Sequence, residues 1–199
     1  MAKFNEAEKE QIREELFDVA YHFFIDKGFK STSIEDLTSS VGIAKSSFYV
    51  FFESKEMLYM DLLAHEGEQI KKEVWPEVIA TEDIRSAIKM YLNKMVLELE
   101  SKILTQRLVY DIEEYKIVSR KLSPEYVGSE NLRSIRPLIE FIKIRQDSKE
   151  IIDEDPEVIA GVLRSTLLIG SQKGDLQQYN YERIRELLFE AVANQIART

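Results

Sequence analysis

The sequence predicts an all-α protein of about nine helices, with three N-terminal helices followed by a larger helical body. Two observations carry this. Apolar residues recur at three- and four-residue spacing along almost the whole chain, and no alternating strand pattern persists. Glycine and proline are scarce, at 7 and 4 of 199 residues, which leaves few breaks.

The elements follow in order. Ile12, Leu16, Val19, Ala20 and Phe23 share one helical face, and Lys27-Gly28 is the expected stop. In STSIEDL, Ser33 is an N-cap with Asp36 three residues on, and Ile34, Leu37 and Val41 give a short apolar face. Gly42 supplies a turn, and a third helix is expected from Ala44 to Val50. Ser54 caps a fourth, with Met57, Leu58, Leu62 and Ile70 near one face, expected to end before Trp75-Pro76. Ile84, Ile88, Tyr91, Met95 and Leu99 form one stripe, and Leu104, Leu108, Ile112 and Tyr115 another. Ser123-Pro124 and Gly128 mark a break; Leu132, Ile135, Leu138, Ile139 and Ile142 follow, with Pro137 expected to kink their helix or loosen its start. Asp155-Pro156-Glu157 is a helix start running to about Lys173. GDLQQYN reads as a loop, and Asn180 caps a last helix carrying Ile184, Leu187, Leu188, Val192 and Ile196.

Composition excludes several classes. With no cysteine, disulfides, thiol chemistry and cysteine-ligated metals are out, which suits a reducing cytoplasm. The start MAKFNEAEKEQ lacks the apolar core of a signal peptide, and no uncharged apolar run approaches the ~20 residues of a membrane helix, so the expectation is a soluble cytoplasmic protein. His22 and His65 stand alone, and no phosphate-binding glycine loop or GxSxG elbow occurs, so neither an enzyme nor a bound metal or cofactor is expected. The formal charge is −9, and residues 1–65 hold seven Lys and Arg against twelve Asp and Glu. Contact with nucleic acid would therefore depend on local placement of cations.

Two short helices joined by SVGIA form the helix-turn-helix arrangement, whose second helix lies in the DNA major groove. That helix opens on Lys45, Ser46 and Ser47, a cation and two hydroxyls able to bond phosphates or base edges. Phe48 and Phe52 lie four apart and share a face to bury; Tyr49 lies on another face. Spacing alone leaves ordinary helix packing open beside DNA binding.

The run GFKSTSIEDLTSSVGIAKSSFYVFFESKEMLYMDLL resembles the DNA-binding domain of the tetracycline-repressor (TetR) family. The family pattern is matched at Gly28, Phe29, Thr32, Ser33, Ile34, Asp36, Leu37, Val41, Gly42, Ile43, Phe48, Tyr49, Phe52, Ser54, Lys55, Glu56 and Leu58. The resemblance implies a DNA-binding domain over residues 1–53 and a ligand-binding and dimerisation domain over 54–199. By position it implies that Tyr49 and Lys55 contact phosphates, Thr32 and Ser33 meet the DNA backbone, and Lys45, Ser46 and Ser47 face the groove. Lys45 is the candidate for a guanine edge. Three positions depart from the pattern. Ala44 replaces a capping Ser or Thr, Thr38 replaces a common Ala, and Phe51 stands where a polar aromatic commonly touches the DNA backbone. Phe51 can pack instead, or touch a sugar or thymine methyl.

The resemblance further implies a homodimer through the last two long helices, which would set two recognition helices about 34–36 Å apart. Its candidates are Val158, Gly161, Val162, Ser165, Leu168, Leu188, Val192 and Ile196; intramolecular core is the alternative. It also implies a small-molecule effector among the middle helices. The candidates, Met90, Tyr91, Met95, Leu104, Leu108, Tyr110, Tyr115, Phe141 and Arg145, suit a hydrophobic or amphipathic molecule. The function expected is a transcriptional repressor released from operator DNA by such a ligand. The alternative is a helical DNA-binding or interaction protein whose C-terminal domain binds a protein partner or only dimerises.

Overall fold

The computed structural model describes residues 4–198. It comprises ten α-helices and three 3₁₀ segments; the only extended pairing among the described residues is an isolated antiparallel bridge between Ile151 and Ala197.

Helix α1 spans Glu6–Ser31. A capping box opens it: Asn5 Oδ1 accepts from Glu8 N at 2.9 Å, and Asn5 N donates to Glu8 Oε2 at 2.7 Å. At Gly28 the backbone leaves the helix with φ +80° and ψ 162°, so the expected stop is a sharp break followed by one more turn. Helix α2 spans Ile34–Ser40 and carries the expected Ser33 cap. The next element, Lys45–Val50, is a 3₁₀ turn rather than an α-helix. Ala44 provides no side-chain cap, and Ser, Phe, Tyr and Val are mediocre helix formers, so nothing local sustains α-geometry over six residues.

Helix α3, Lys55–Ala80, opens on the expected Ser54 cap, whose Oγ accepts from Met57 N at 3.0 Å. It does not end at Trp75 but runs through Pro76. Val74 and Val78 on either side are fully buried. Their burial, at about 1.5–3 kcal/mol per side chain, offsets the roughly 3 kcal/mol that an interior proline costs.

Helix α4 is Ile84–Ser101, capped by Asp83. The next expected stripe is two helices, α5 (Ile103–Tyr110) and α6 (Glu113–Ser119), with Ile112 exposed at the junction. Helix α7, Pro124–Asp147, starts at the expected proline but takes both Gly128 and Pro137 into its interior. Asp155 caps α8, Pro156–Thr166, accepting from Glu157 N at 2.8 Å. Beyond Thr166 the chain tightens into a 3₁₀ segment over Leu167–Gln172, so α8 stops short of Lys173. The expected loop is instead a short α9 (Lys173–Leu176) and a 3₁₀ turn (Gln177–Tyr179). Asn180, with φ +63°, caps α10, Tyr181–Ile196.

Two compact units result, and no single cut of the chain separates them. Among the described residues the first joins 4–66 with 103–127; the second joins 67–102 with 128–198. Leu16, Phe24, Phe29, Leu37, Phe48, Tyr59 and Leu104 are central to the first core. In the second core α10 packs on α4 and α8, with Leu92, Phe141, Leu163 and Phe189 inside.

Candidate nucleic-acid interface

The candidate interface is built on α2, the turn and the 3₁₀ segment. Ser33 N and Ser33 Oγ both donate to Asp36 Oδ2, at 2.9 and 2.8 Å, while Ser33 Oγ accepts from Asp36 N at 3.1 Å. These donors hold the Asp36 carboxyl below the usual carboxylate range, the main-chain N–H contributing most. The buried Thr38 hydroxyl donates back to Ile34 O at 2.9 Å, and Thr38 O accepts from Ile43 N at 3.0 Å. A side chain larger than the common alanine is thus accommodated by satisfying its hydroxyl within the helix. Gly42, with φ +72°, makes the turn and donates to Ser39 O at 3.3 Å.

The 3₁₀ segment divides by face as its spacing predicts. Phe48 and Phe52 are buried, their rings 5.8 Å apart, and Phe48 meets Tyr49 edge-on at 5.5 Å. Tyr49 is 60% exposed and Val50 57%. Lys45 and Ser46 are exposed, and Ser47 is half-buried. Lys45 Nζ stands 3.5 Å from Glu35 Oε2, both side chains largely in solvent. Tyr49, Lys45 and Ser46 therefore lie at the surface of one capped helix–turn–helix unit, with hydroxyls, an ammonium and an aromatic ring available to a phosphate backbone or base edge; Ser33 is exposed as well, but its hydroxyl is committed to Asp36.

Three expected contacts are corrected. Thr32 is buried, and its hydroxyl donates to Gly28 O at 2.9 Å and Phe23 O at 3.3 Å, so the side chain is committed to the end of α1. Lys55 also turns inward. Its ammonium donates to Phe29 O at 2.7 Å and Thr32 O at 2.5 Å and lies 4.1 Å from the centroid of the Phe29 ring. Burial pushes its pKa down. Lys55 is a clamp on the α1–α2 corner, because unpaired carbonyls at a helix end draw the nearest cation. Phe51 takes the packing option: it is half-buried against the first core, with its ring 5.9 Å from that of Phe4.

Sequence reasoning missed Arg13, Arg107 and Glu114. Arg13 Nη1 donates to Phe51 O at 3.2 Å, and its guanidinium lies over the Phe52 ring at 4.7 Å. Arg107 donates to Phe24 O and Ile25 O, and Glu114 accepts from Phe29 N. These partners lie up to 85 residues apart in sequence, and no local pattern signals them.

The nine effector candidates divide between the two cores. Leu104, Leu108 and Tyr115 pack in the first, with Tyr110 half-buried on α5. Met90, Tyr91, Met95 and Phe141 pack in the second, where the Trp75 ring lies 5.4 Å from Tyr91 and 5.7 Å from Phe141. Arg145 donates to Glu150 Oε2 at 2.8 Å and Thr81 O at 3.0 Å. A groove of about 500 Å³ in the second unit lies elsewhere, lined by Lys89, Asn93, Arg183, Arg185 and Phe189 among others.

Of the dimer candidates, Val158, Gly161, Val162, Ser165 and Leu168 form an exposed face along α8 and its 3₁₀ extension. Leu188 and Val192 are half-buried against the second core. Ile196 is corrected: it is buried in that core, and its carbonyl accepts from Ile152 N at 2.9 Å.

Residues 16–62 match the family model described as bacterial regulatory proteins, tetR family. Over 51 residues, 26% of this chain, the sequence is 39% identical to the HTH-type transcriptional repressor KstR2 of Mycolicibacterium smegmatis; the matched stretch spans only 25% of that relative. The fold is similar to that of a TetR family transcription regulator from Marinobacter aquaeolei VT8, with TM-score 0.67, 16% identity, and 98% and 100% of the two chains covered. It is also similar to AibR, solved in complex with isovaleryl coenzyme A and operator DNA, with TM-score 0.62, 14% identity, and 89% and 96% covered. A capped helix–turn–helix unit with its polar face outward and the family match over that unit agree: residues 16–62 form a unit of the kind found in the tetR family of bacterial regulatory proteins, in a chain whose all-helical fold is similar to that of a TetR family regulator along nearly its whole length.

Proposed function

We propose that the protein is a DNA-binding transcription regulator of the cytoplasm, a repressor that works as a homodimer and leaves its operator when a small hydrophobic or amphipathic ligand binds. The observation that carries this reading is the exposed set Lys45, Ser46 and Tyr49 on a segment anchored by the buried Phe48 and Phe52. Tyr49 serves phosphate, and Lys45 serves a base edge or phosphate. In this division of labour residues 1–53 contact DNA, and residues 54–199 bind the effector and the second copy. The effector reading rests on the aromatic and methionine-rich group Met90, Tyr91, Met95, Trp75 and Phe141, and on the acyl-coenzyme A bound by AibR.

The test is binding of the full chain to duplexes from its own upstream region, followed by fluorescence anisotropy. Lys45→Ala is expected to weaken specific binding about tenfold and to lower the salt slope by about 1. Tyr49→Phe is expected to cost about threefold, the loss of one hydrogen bond. Unchanged binding in both variants removes the site assignment. A thermal-shift screen with lipophilic acids and acyl-coenzyme A thioesters tests the effector. A uniformly flat screen favours a protein partner or dimerisation alone as the role of the C-terminal domain.

A further inference from the structure

Gly28 breaks the α1 hydrogen-bond ladder, and the break leaves two specific groups without their helical partners. In an unbroken helix the Phe29 N–H would donate to Ile25 O. Here Phe29 N–H donates to Glu114 Oε1 on α6, and Ile25 O accepts from Arg107 Nη2 on α5 at 2.6 Å. Arg107 Nη1 also donates to Phe24 O at 2.7 Å and lies 3.6 Å from Glu114 Oε2. An ion pair is therefore inserted into the ladder, with its cation where a donor is missing and its carboxylate where an acceptor is missing. Glu114 Oε1 lies against Gly28 itself: a Cβ there would be in ordinary contact with it, at 3.5 Å. On the far side of the break, Lys55 holds Phe29 O and Thr32 O, and the Thr32 hydroxyl holds Gly28 O. Ser33, the cap of α2, follows at once.

We propose that Arg107 and Glu114 are positioning residues for DNA recognition, acting through the main chain at residues 24–29 to set the direction in which α2 and the Lys45–Val50 segment leave α1. Residues 103–119 then belong to the DNA-reading machinery, although the family match ends at residue 62. This rests on the reading of that unit as the DNA interface. The consequence is selective. Base-edge hydrogen bonds need donor–acceptor distances within a few tenths of an ångström, whereas attraction of mobile cations to phosphate tolerates displacement. A mis-set unit loses specific binding and keeps non-specific binding.

The test uses the full chain, a duplex it enriches from a random-sequence pool, and an unselected duplex, both at one salt concentration. Amide hydrogen exchange over residues 29–37 is measured on the DNA-free protein. Arg107→Ala and Glu114→Ala are expected to weaken binding to the enriched duplex about tenfold, to leave the unselected duplex unchanged, and to speed exchange over 29–37. Glu114→Gln, which keeps an acceptor for Phe29 N–H, is expected to stay within about threefold of the parent. Equal losses on both duplexes indicate a reduced folded fraction and overturn the proposal, as does unchanged exchange. If the parent enriches no duplex, the DNA reading fails and the positioning role with it. Accelerated exchange in Glu114→Ala would then still report that the pair holds the break.

Discussion

At the residue scale, the cations of the candidate interface separate by what surrounds them. Lys55 meets unpaired carbonyls and an aromatic ring and turns inward. Lys45 meets only Glu35, at 3.5 Å in solvent, and exposed pairs of this kind contribute little stability. Glu35 sits beside Lys45, the cation proposed to face the groove, and would oppose the approach of phosphate. Glu35→Gln is therefore expected to raise affinity for unselected DNA severalfold and to raise specific affinity less, narrowing the ratio. Anisotropy titrations on both duplexes measure this, and an unchanged ratio removes Glu35 from the account. Asp36 gives a pH prediction. Its folded pKa is depressed by the Ser33 donors, so its contribution is present above the unfolded value of about 4 and is lost as pH falls through the depressed value. Thermal melts should show Asp36→Asn less stable than the parent at neutral pH, with the gap closing below about pH 4.

At the element scale, the recognition segment is short, tight and uncapped. Ala44 already has the extended backbone of a cap residue, φ −69° and ψ 145°, but its side chain accepts nothing. Ala44→Ser would place an oxygen near the first free amides and is expected to stabilise the protein by about 1 kcal/mol, a rise of a few degrees in Tm. If the segment is held only by Phe48 and Phe52, calorimetry will show no gain. The same segment shows what periodicity could not reveal. Which side chains would bury was legible from residue type, with Phe48 and Phe52 apolar and Lys45, Ser46 and Ser47 polar. Its 3₁₀ geometry was not, because that depends on the missing cap and on what Phe48 meets. Pro76 is the converse case: a strong local breaker is overridden by the burial of Val74 and Val78, which only the assembled core supplies.

At the scale of the whole molecule, a helix-turn-helix protein reads two half-sites when it pairs with a copy of itself. In the homodimer proposed above, the exposed Val158, Gly161, Val162, Ser165 and Leu168 on α8 and its 3₁₀ extension would be the surface for that pairing. Val162→Glu is expected to weaken self-association at least tenfold, because it buries a charge in an apolar seam, and to reduce operator affinity with it. Sedimentation at several concentrations decides the point; a parent that stays monomeric, or a variant that still dimerises, counts against this face. Charge acts at the same scale. A net −9 over the chain limits non-specific attraction to DNA, so the proposed DNA affinity would have to come from a few placed groups and from pairing of two copies.

By itself the sequence determined the helical class, the caps at Ser33, Ser54, Asp155 and Asn180, the turn at Gly42, and the division of Lys45–Phe52 into a buried aromatic side and an exposed polar one. These depend on neighbours within about four residues, where backbone geometry leaves little choice. The tertiary structure alone decided the rest. It turned Lys55 and Thr32 inward, carried α3 past Pro76, divided the effector candidates between two cores, and brought Arg107 and Glu114 to the break at Gly28. Each of these outcomes depends on a partner far away in sequence. A carbonyl, an amide or an apolar face left unsatisfied by its own helix is completed by whichever side chain the fold delivers to it.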